Sequence, residues 1–339
     1  MAAVGGADSD PLAVETSVVK VAFVVPACNE ERHLARCLAA IREQSVGLPD
    51  PVAVSLVVVD NASEDATVKI ARRYGARVVQ VLPGNAGRAR NAGARISDAD
   101  AIAFVDADCV LPPGWLQRGL EHLAEPRVVA VGSVQAQAPC SAPWVERVWV
   151  ESLVPQLRGN WETVPWLPAF NLLVRKAVFD EVGGFDESLT TCEDSDLTFR
   201  LAQRGELRRD HQCPVLHLGE SQSLTEFFRR EMWRSRGNFR SAWKRGARLA
   251  EFPSLVVPLG YVALLACTLA ALAFAVAVGR QWWLLTGVLV VCCLVVPSGI
   301  AWIKRSHAQR SALSGVLFAT YLLARGLGPF LPARRVEAR

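Results

Sequence analysis

Two carboxylates one residue apart, Asp106 and Asp108, follow the apolar run Ala101-Ile-Ala-Phe-Val105. A short run with β-branched and aromatic residues reads as a buried strand. Pro112, Pro113 and Gly114 then break the chain. In extended backbone, side chains two residues apart point to the same side. Both carboxylates are therefore expected to face one ligand. Hard oxygen donors of this kind suit Mg2+ or Mn2+ sharing a site with phosphates. The competing reading of Asp106 and Asp108 is a polar strand end with a turn-forming aspartate.

The elements around this pair decide between the two. Val18 to Val25 is a nearly continuous apolar strand, followed by Pro26-Ala-Cys-Asn-Glu-Glu31 and a helix over about 30–44. Leu34, Leu38 and Ile41 give that helix one apolar face. Ser55 to Val59 is a second strand ending on Asp60, and Ser63 is expected to cap the next helix. Ala76 to Leu82 is a third strand, and Pro83 to Gly93 leads into a third helix. Strands alternating with helices predict a parallel sheet covered on both faces. Asn29-Glu30, Asp60 and Asp106/Asp108 then all lie at strand carboxyl ends, where open α/β sheets bind ligands. For Asp60 alone, an Asx turn or helix cap is the competing role. Neither a P-loop nor a G-x-G-x-x-G fingerprint is present.

Further on, 136–168 is an irregular tract with Trp144, Trp149, Trp161 and Trp166. It reads equally as an acceptor-side loop or as packing against a membrane part. A strand at 169–174 and a short helix at 175–182 follow. Glu193 and Asp194 then stand at the start of a helix marked by Leu197 and Leu201. Acidic residues there serve the helix dipole if nothing else.

In this order the segments resemble family-2 glycosyltransferases of the GT-A fold, over roughly Val18 to Arg240. The matching stretches are 24–31, Val59-Asp-Asn-Ala-Ser63, Gly87-Arg-Ala-Arg-Asn-Ala-Gly93, Phe104 to Asp108, and Val182-Gly-Gly-Phe-Asp-Glu187 followed by Glu193-Asp194. The resemblance implies an α/β, Rossmann-like, mostly parallel sheet with helices on both faces. It implies nucleotide contacts at Pro26, Asn29, Glu30, Asp60, Arg88, Asn91 and Asp106. Metal ligation by Asp108 and Asp106 is implied too, and Asp194 of the Glu193-Asp194 pair as catalytic base. His217 is a third metal ligand by the same resemblance, or a strand-end histidine with a local hydrogen bond. Mn2+ or Mg2+ is the implied cofactor. A metal-held diphosphate leaving group and a base across the sugar give in-line transfer with inversion. Arg229-Arg-Glu-Met-Trp-Arg234 departs from the Q-x-x-R-W pattern of processive polysaccharide synthases, so transfer of one sugar is expected.

The apolar fraction of 51% is concentrated after residue 252. The spans 254–278, 282–303 and 311–331 are each long enough to cross a bilayer. The third holds Arg325 and precedes a basic tail, so a re-entrant or interfacial helix rivals a crossing there. Segment 224–250 carries eight Lys/Arg between Arg229 and Arg248 against Glu231. Phe228, Met232, Phe239 and Trp243 share one side of it, as in a helix on an anionic membrane surface. A phosphate-binding or solvated basic helix is the alternative. Residues 1–17 read as a disordered tail without a signal peptide. Nine irregularly spaced cysteines suit a reducing compartment, and basic flanks place 18–223 on the cytoplasmic side of the cell membrane as part of a multi-pass protein. The net charge of only +4 argues against nucleic acid as a partner. The expected partners are a nucleotide-sugar donor, a lipid or lipid-linked acceptor, and the membrane. A polyprenyl phosphate acceptor, a processive polysaccharide synthase, a nucleotidyltransferase and an inactive membrane scaffold are the rival readings.

Overall fold

A computed structural model of the chain describes residues 18–46, 48, 52–153, 159–237, 252–304 and 312–330. The expected N-terminal tail and the part of the basic segment from 238 to 250, with Phe239 and Trp243, lie outside the described residues.

Four strands build the first half of the sheet: β1 (Val19–Ala27), β2 (Val52–Asp60), β3 (Arg77–Gln80) and β4 (Ala101–Val105). They pair in parallel in the order β3-β2-β1-β4. The helices between them are α1 (Leu34–Glu43), α2 (Thr67–Arg73) and α3 (Ala86–Arg95). Parallel strands covered on both faces need apolar side chains in both directions. Val21, Phe23 and Val25 pack with Leu34, Leu38 and Ile41 of α1 on one face. Val24, Ile102 and Phe104 pack with Ala89 and Ala94 of α3 on the other.

Beyond β4 the sheet becomes mixed. The later elements are β5 (Cys109–Val110), α4 (Trp115–Leu123), β6 (Val128–Gln135), α5 (Trp144–Leu153), β7 (Trp161–Thr163), β8 (Asn171–Arg175), α6 (Lys176–Glu181), α7 (Glu193–Leu201), β9 (Glu206–His217) and α8 (Leu224–Ser235). β8 runs antiparallel between β4 and β6, and β9 runs parallel to β6. The two-residue β5 pairs antiparallel with the end of β9 and sets Cys109 opposite His217. No sequence periodicity announces so short a strand, yet it carries His217 to the carboxyl end of β4.

Three apolar helices follow: α9 (Phe252–Val278), α10 (Trp283–Lys304) and α11 (Ala312–Leu327), the last extended by a 3-10 turn to Phe330. All three are long and apolar enough to cross a membrane. α9 and α10 expose large apolar side chains such as Phe274, Leu284 and Trp302. α11 instead packs against the α/β half. Trp149 of α5 meets Phe227 of α8 edge-on at 4.9 Å and Tyr321 of α11 at 5.7 Å. Of the two readings of the 136–168 tract, α5 thus takes packing against the apolar helices. The buried side of α8 is Phe227, Glu231 and Ser235, with Phe228 and Met232 half-buried beside it.

Candidate functional site

The loops after β1 and β2 are bolted to each other. The Asn29 amide donates to Ser63 Oγ at 3.0 Å, and Asn29 Oδ1 accepts from the Glu64 amide at 2.9 Å. Ser63 is therefore used as a loop tie, and α2 begins only at Thr67, whose amide donates to Asp65 Oδ1. Asp60 is buried, taking hydrogen bonds from the Ser63 amide and from Gln80. Asn61 pins the turn at Gly84 through both of its amide atoms. Pro26 lies half-buried in β1 opposite Val59. Among the described residues, Asn29, Ala62 and Cys192 are the non-glycine residues in left-handed backbone. All three lie in loops around one crevice, where such strain concentrates in functional sites.

Asp106 and Asp108 lie past the end of β4, in a turn closed by the Cys109 amide donating to the Asp106 carbonyl at 3.0 Å. The extended geometry expected from the sequence does not continue through them, so their side chains part. Asp106 Oδ1 receives Arg90 Nη2 at 2.6 Å. Asp108 Oδ1 stands 3.6 Å from His217 Nε2. The His217 ring is held edge-on to Phe170, and its Nδ1 stands 3.5 Å from Glu220 Oε1 without a hydrogen bond among the described residues.

Asp108, Cys109 and His217 bring donor atoms within 4.8 Å of one another. Asp106 lies outside that group and pairs with Arg90. Burial pushes the Cys109 thiol well up, aided by Asp108 and Asp106; soft sulfur is in any case a poor match for a hard Mg2+ or Mn2+ ion. The carboxylate and imidazole that remain fit a divalent ion completed by phosphate oxygens. Gly219 leaves room for this: a Cβ there would collide with Asp108 Oδ2. Glu30 overlooks the same place. Burial, then Asp108 and Asp106, raise its carboxyl to about 7.

Across the crevice, α7 starts from left-handed Cys192. Glu193 Oε1 accepts from Arg90 Nη1 at 2.9 Å. Asp194 Oδ1 accepts from the Ser195 amide at 2.7 Å, within the first turn of α7. Burial raises the Asp194 carboxyl despite the pull of the Ser195 amide and Arg90, and burial also raises Glu193. Buried Arg90 joins the two acidic pairs. Burial works against its charge, but Asp106 and Glu193 outweigh that and hold it above its ordinary value.

Arg90 is the residue that sequence reading missed. On α3 the buried positions include Gly87, Arg90, Asn91 and Ala94, one helical face. Arg88, named from the sequence, lies off that face, its stem over Gly84. Asn91, also expected at the nucleotide, is taken up elsewhere. It donates to the Phe185 carbonyl and to Glu187, and accepts from the Phe185 amide, clamping the glycine loop 183–187. These bonds place Asn91 against the glycine loop, beside Arg90 on the buried face of α3.

Residues 22–183 match the model of the glycosyl transferase family 2. Glycosyltransferase AglE of Haloferax volcanii is 28% identical over 192 residues, 55% of this chain and 62% of that protein. The pre-mycofactocin glycosyltransferase of Mycobacterium tuberculosis is 29% identical over 216 residues, 58% of this chain and 42% of that protein. The chain thus spans less than two thirds of these relatives' length. Among solved structures, the mannosyltransferase PcManGT from Pyrobaculum calidifontis, in complex with GDP-Man and Mn2+, superposes with a TM-score of 0.62 at 20% identity. That superposition covers 93% of this chain and 88% of the other. S. aureus TarS 1-349 with UDP gives 0.52 at 17% identity, covering 92% and 90%. With a GT-A-like mixed sheet and acidic pairs at its carboxyl edge, the chain carries a glycosyl transferase family 2 domain over residues 22–183, followed by three C-terminal apolar helices.

Proposed function

We propose that the protein is a metal-dependent, inverting glycosyltransferase that moves one sugar from a nucleotide-sugar donor to a hydroxyl of a lipid or lipid-linked acceptor. The observation that carries this reading is the pairing of Asp106/Asp108 with Glu193/Asp194 across Arg90 in one crevice. Asp108 and His217 would hold the divalent ion. When bound, Mn2+ or Mg2+ supplies charge neutralisation for a departing diphosphate. Asp194, as general base, takes the proton of the acceptor hydroxyl. Its raised carboxyl value suits a base that must both accept and release a proton. Arg90 orients Glu193 and keeps the neighbouring carboxylates from repelling each other. The loops of Asn29, Glu30 and Asp60 form the nucleotide side. Inversion is what the resemblance implies, since it supplies a base and suggests no nucleophile.

The three apolar helices support a membrane location, and the basic flanks support a cytoplasmic face for the crevice. Placement at a membrane supports a lipid-borne acceptor. The test is thermal stability of the detergent-solubilised protein with GDP, UDP and other nucleoside diphosphates, with and without Mn2+. A metal-dependent rise with one of them, lost in Asp108→Ala, is expected. No rise with any nucleotide would overturn the reading in favour of an inactive scaffold.

A further inference from the structure

Where the glycosyl-fold half meets α11, two arginines converge on one buried carboxylate. Glu231 on α8 is 1% exposed. Arg234 Nη1 lies 2.7 Å from Glu231 Oε1, and Arg325 Nη1 of α11 lies 3.7 Å from Oε2. Arg325 Nη1 also donates to Tyr321 at 2.6 Å. Its Nε is buried without a hydrogen-bond partner among the described residues. A guanidinium has five N–H donors in a planar fork. An arginine on an apolar helix, with an unsatisfied buried donor and a long ionic contact, is costly unless another acceptor completes it.

The location points to what that acceptor is. A Cβ on Gly237, just past α8, would collide with Thr191, so the end of α8 stands beside the start of α7. Arg234 of α8 and Arg325 of α11 meet at Glu231 near that end, on the side of the crevice that holds Glu193 and Asp194 and against a helix of bilayer-spanning length. One turn earlier on α8, Arg230 donates to the Gly219 carbonyl beside Asp108. α8 thus carries a line of arginines from the metal ligands toward α11. Guanidinium forks match phosphate oxygens, and basic pockets beside membrane helices bind phosphate headgroups.

We propose that Arg234 and Arg325, oriented by Glu231, form a seat for a phosphate group of the lipid acceptor. This rests on the reading of the protein as a lipid-directed glycosyltransferase. The donor's diphosphate shares the same chemistry, and the test separates the two sources. Full-length protein in neutral detergent is titrated calorimetrically with farnesyl phosphate and with farnesol, without nucleotide. The expected result is binding of the phosphate and not of the alcohol. Arg325→Gln weakens it by about tenfold or more, the loss of charged hydrogen bonds. Glu231→Gln keeps or tightens it, because the guanidiniums lose a competitor. The Mn2+-dependent thermal response to GDP and UDP stays as in the parent protein. If Arg325→Gln does not fold, Arg234→Gln must show the same loss. Equal binding of farnesol, or phosphate binding unchanged in the folded arginine variants, overturns the proposal. So does loss of the GDP or UDP response with farnesyl phosphate binding intact, which would give the seat to the donor. A protein that responds to no nucleotide yet binds farnesyl phosphate through Arg325 would retain the seat while refuting transfer.

Discussion

The Arg90 guanidinium lies 2.6 Å from Asp106 Oδ1 and, through its other terminal nitrogen, 2.9 Å from Glu193 Oε1. One buried cation thus ties the end of β4 to the start of α7. Arg90→Ala leaves two carboxylates facing each other without a counter-charge. Breaking a buried pair in this way costs about 3–5 kcal/mol. A large fall in melting temperature is expected, and Arg90→Lys recovers only part of it because it cannot bridge both partners. Calorimetry of the two variants checks this; parent-like stability in Arg90→Ala would remove the bridge from the account.

Asp194→Asn is expected to cut sugar transfer at least about a hundredfold, the usual worth of a general base. It is also expected to stabilise the fold at neutral pH. A carboxyl with a raised folded value holds its proton more tightly folded than unfolded, so its ionisation opposes folding. That penalty is absent below the ordinary carboxylate range, about 4. It is complete above the raised value. Melting curves across pH should show the variant ahead of the parent at neutral pH and the gap closing in acid.

Glu30 links metal binding to pH. With its carboxyl at about 7, raised by burial and by Asp108 and Asp106, ionised Glu30 destabilises the metal-free crevice. Stability should therefore decline as pH climbs from the ordinary carboxylate range through 7. Mn2+ should bind more tightly over the same interval and release a proton as it does. Titration calorimetry in buffers of different ionisation heat measures that proton. Glu30→Gln should flatten the dependence; an unchanged profile would assign it to another group.

Gly219→Ala places a methyl group where Asp108 Oδ2 now lies. Overpacking of this kind costs about 1–3 kcal/mol. The carboxylate must swing away from His217. The variant should remain folded and lose most of its thermal response to Mn2+ with nucleotide. A parent-like response would mean that Asp108 does not hold the ion from this position.

The parallel half of the sheet was legible because buried strands between covered faces are written as apolar runs, and the β1, β2 and β4 runs lead into an Asn-Glu pair or a carboxylate. The separation of Asp106 from Asp108 was not, because it depends on a turn that begins one residue after Val105. Arg90 was within reach: its place on the buried face of α3 follows from helical periodicity, and Arg88 lies off that face. The junction of α8 with α11 rests on contacts about ninety residues apart. Glu231 in a basic segment looked like an isolated acid and is the residue around which two arginines are arranged.

That junction bears on where this protein can be cut. Phe227 and Trp149 share their cluster with Leu317 and Tyr321 of α11, and a Cβ on Gly328 would collide with Ser235 and the Met232 carbonyl. A chain excised before Phe252 would present that aromatic cluster to water and leave Glu231 without Arg325. The catalytic half is not a passenger hung on an anchor; the helix at the far end of the sequence is one of its walls.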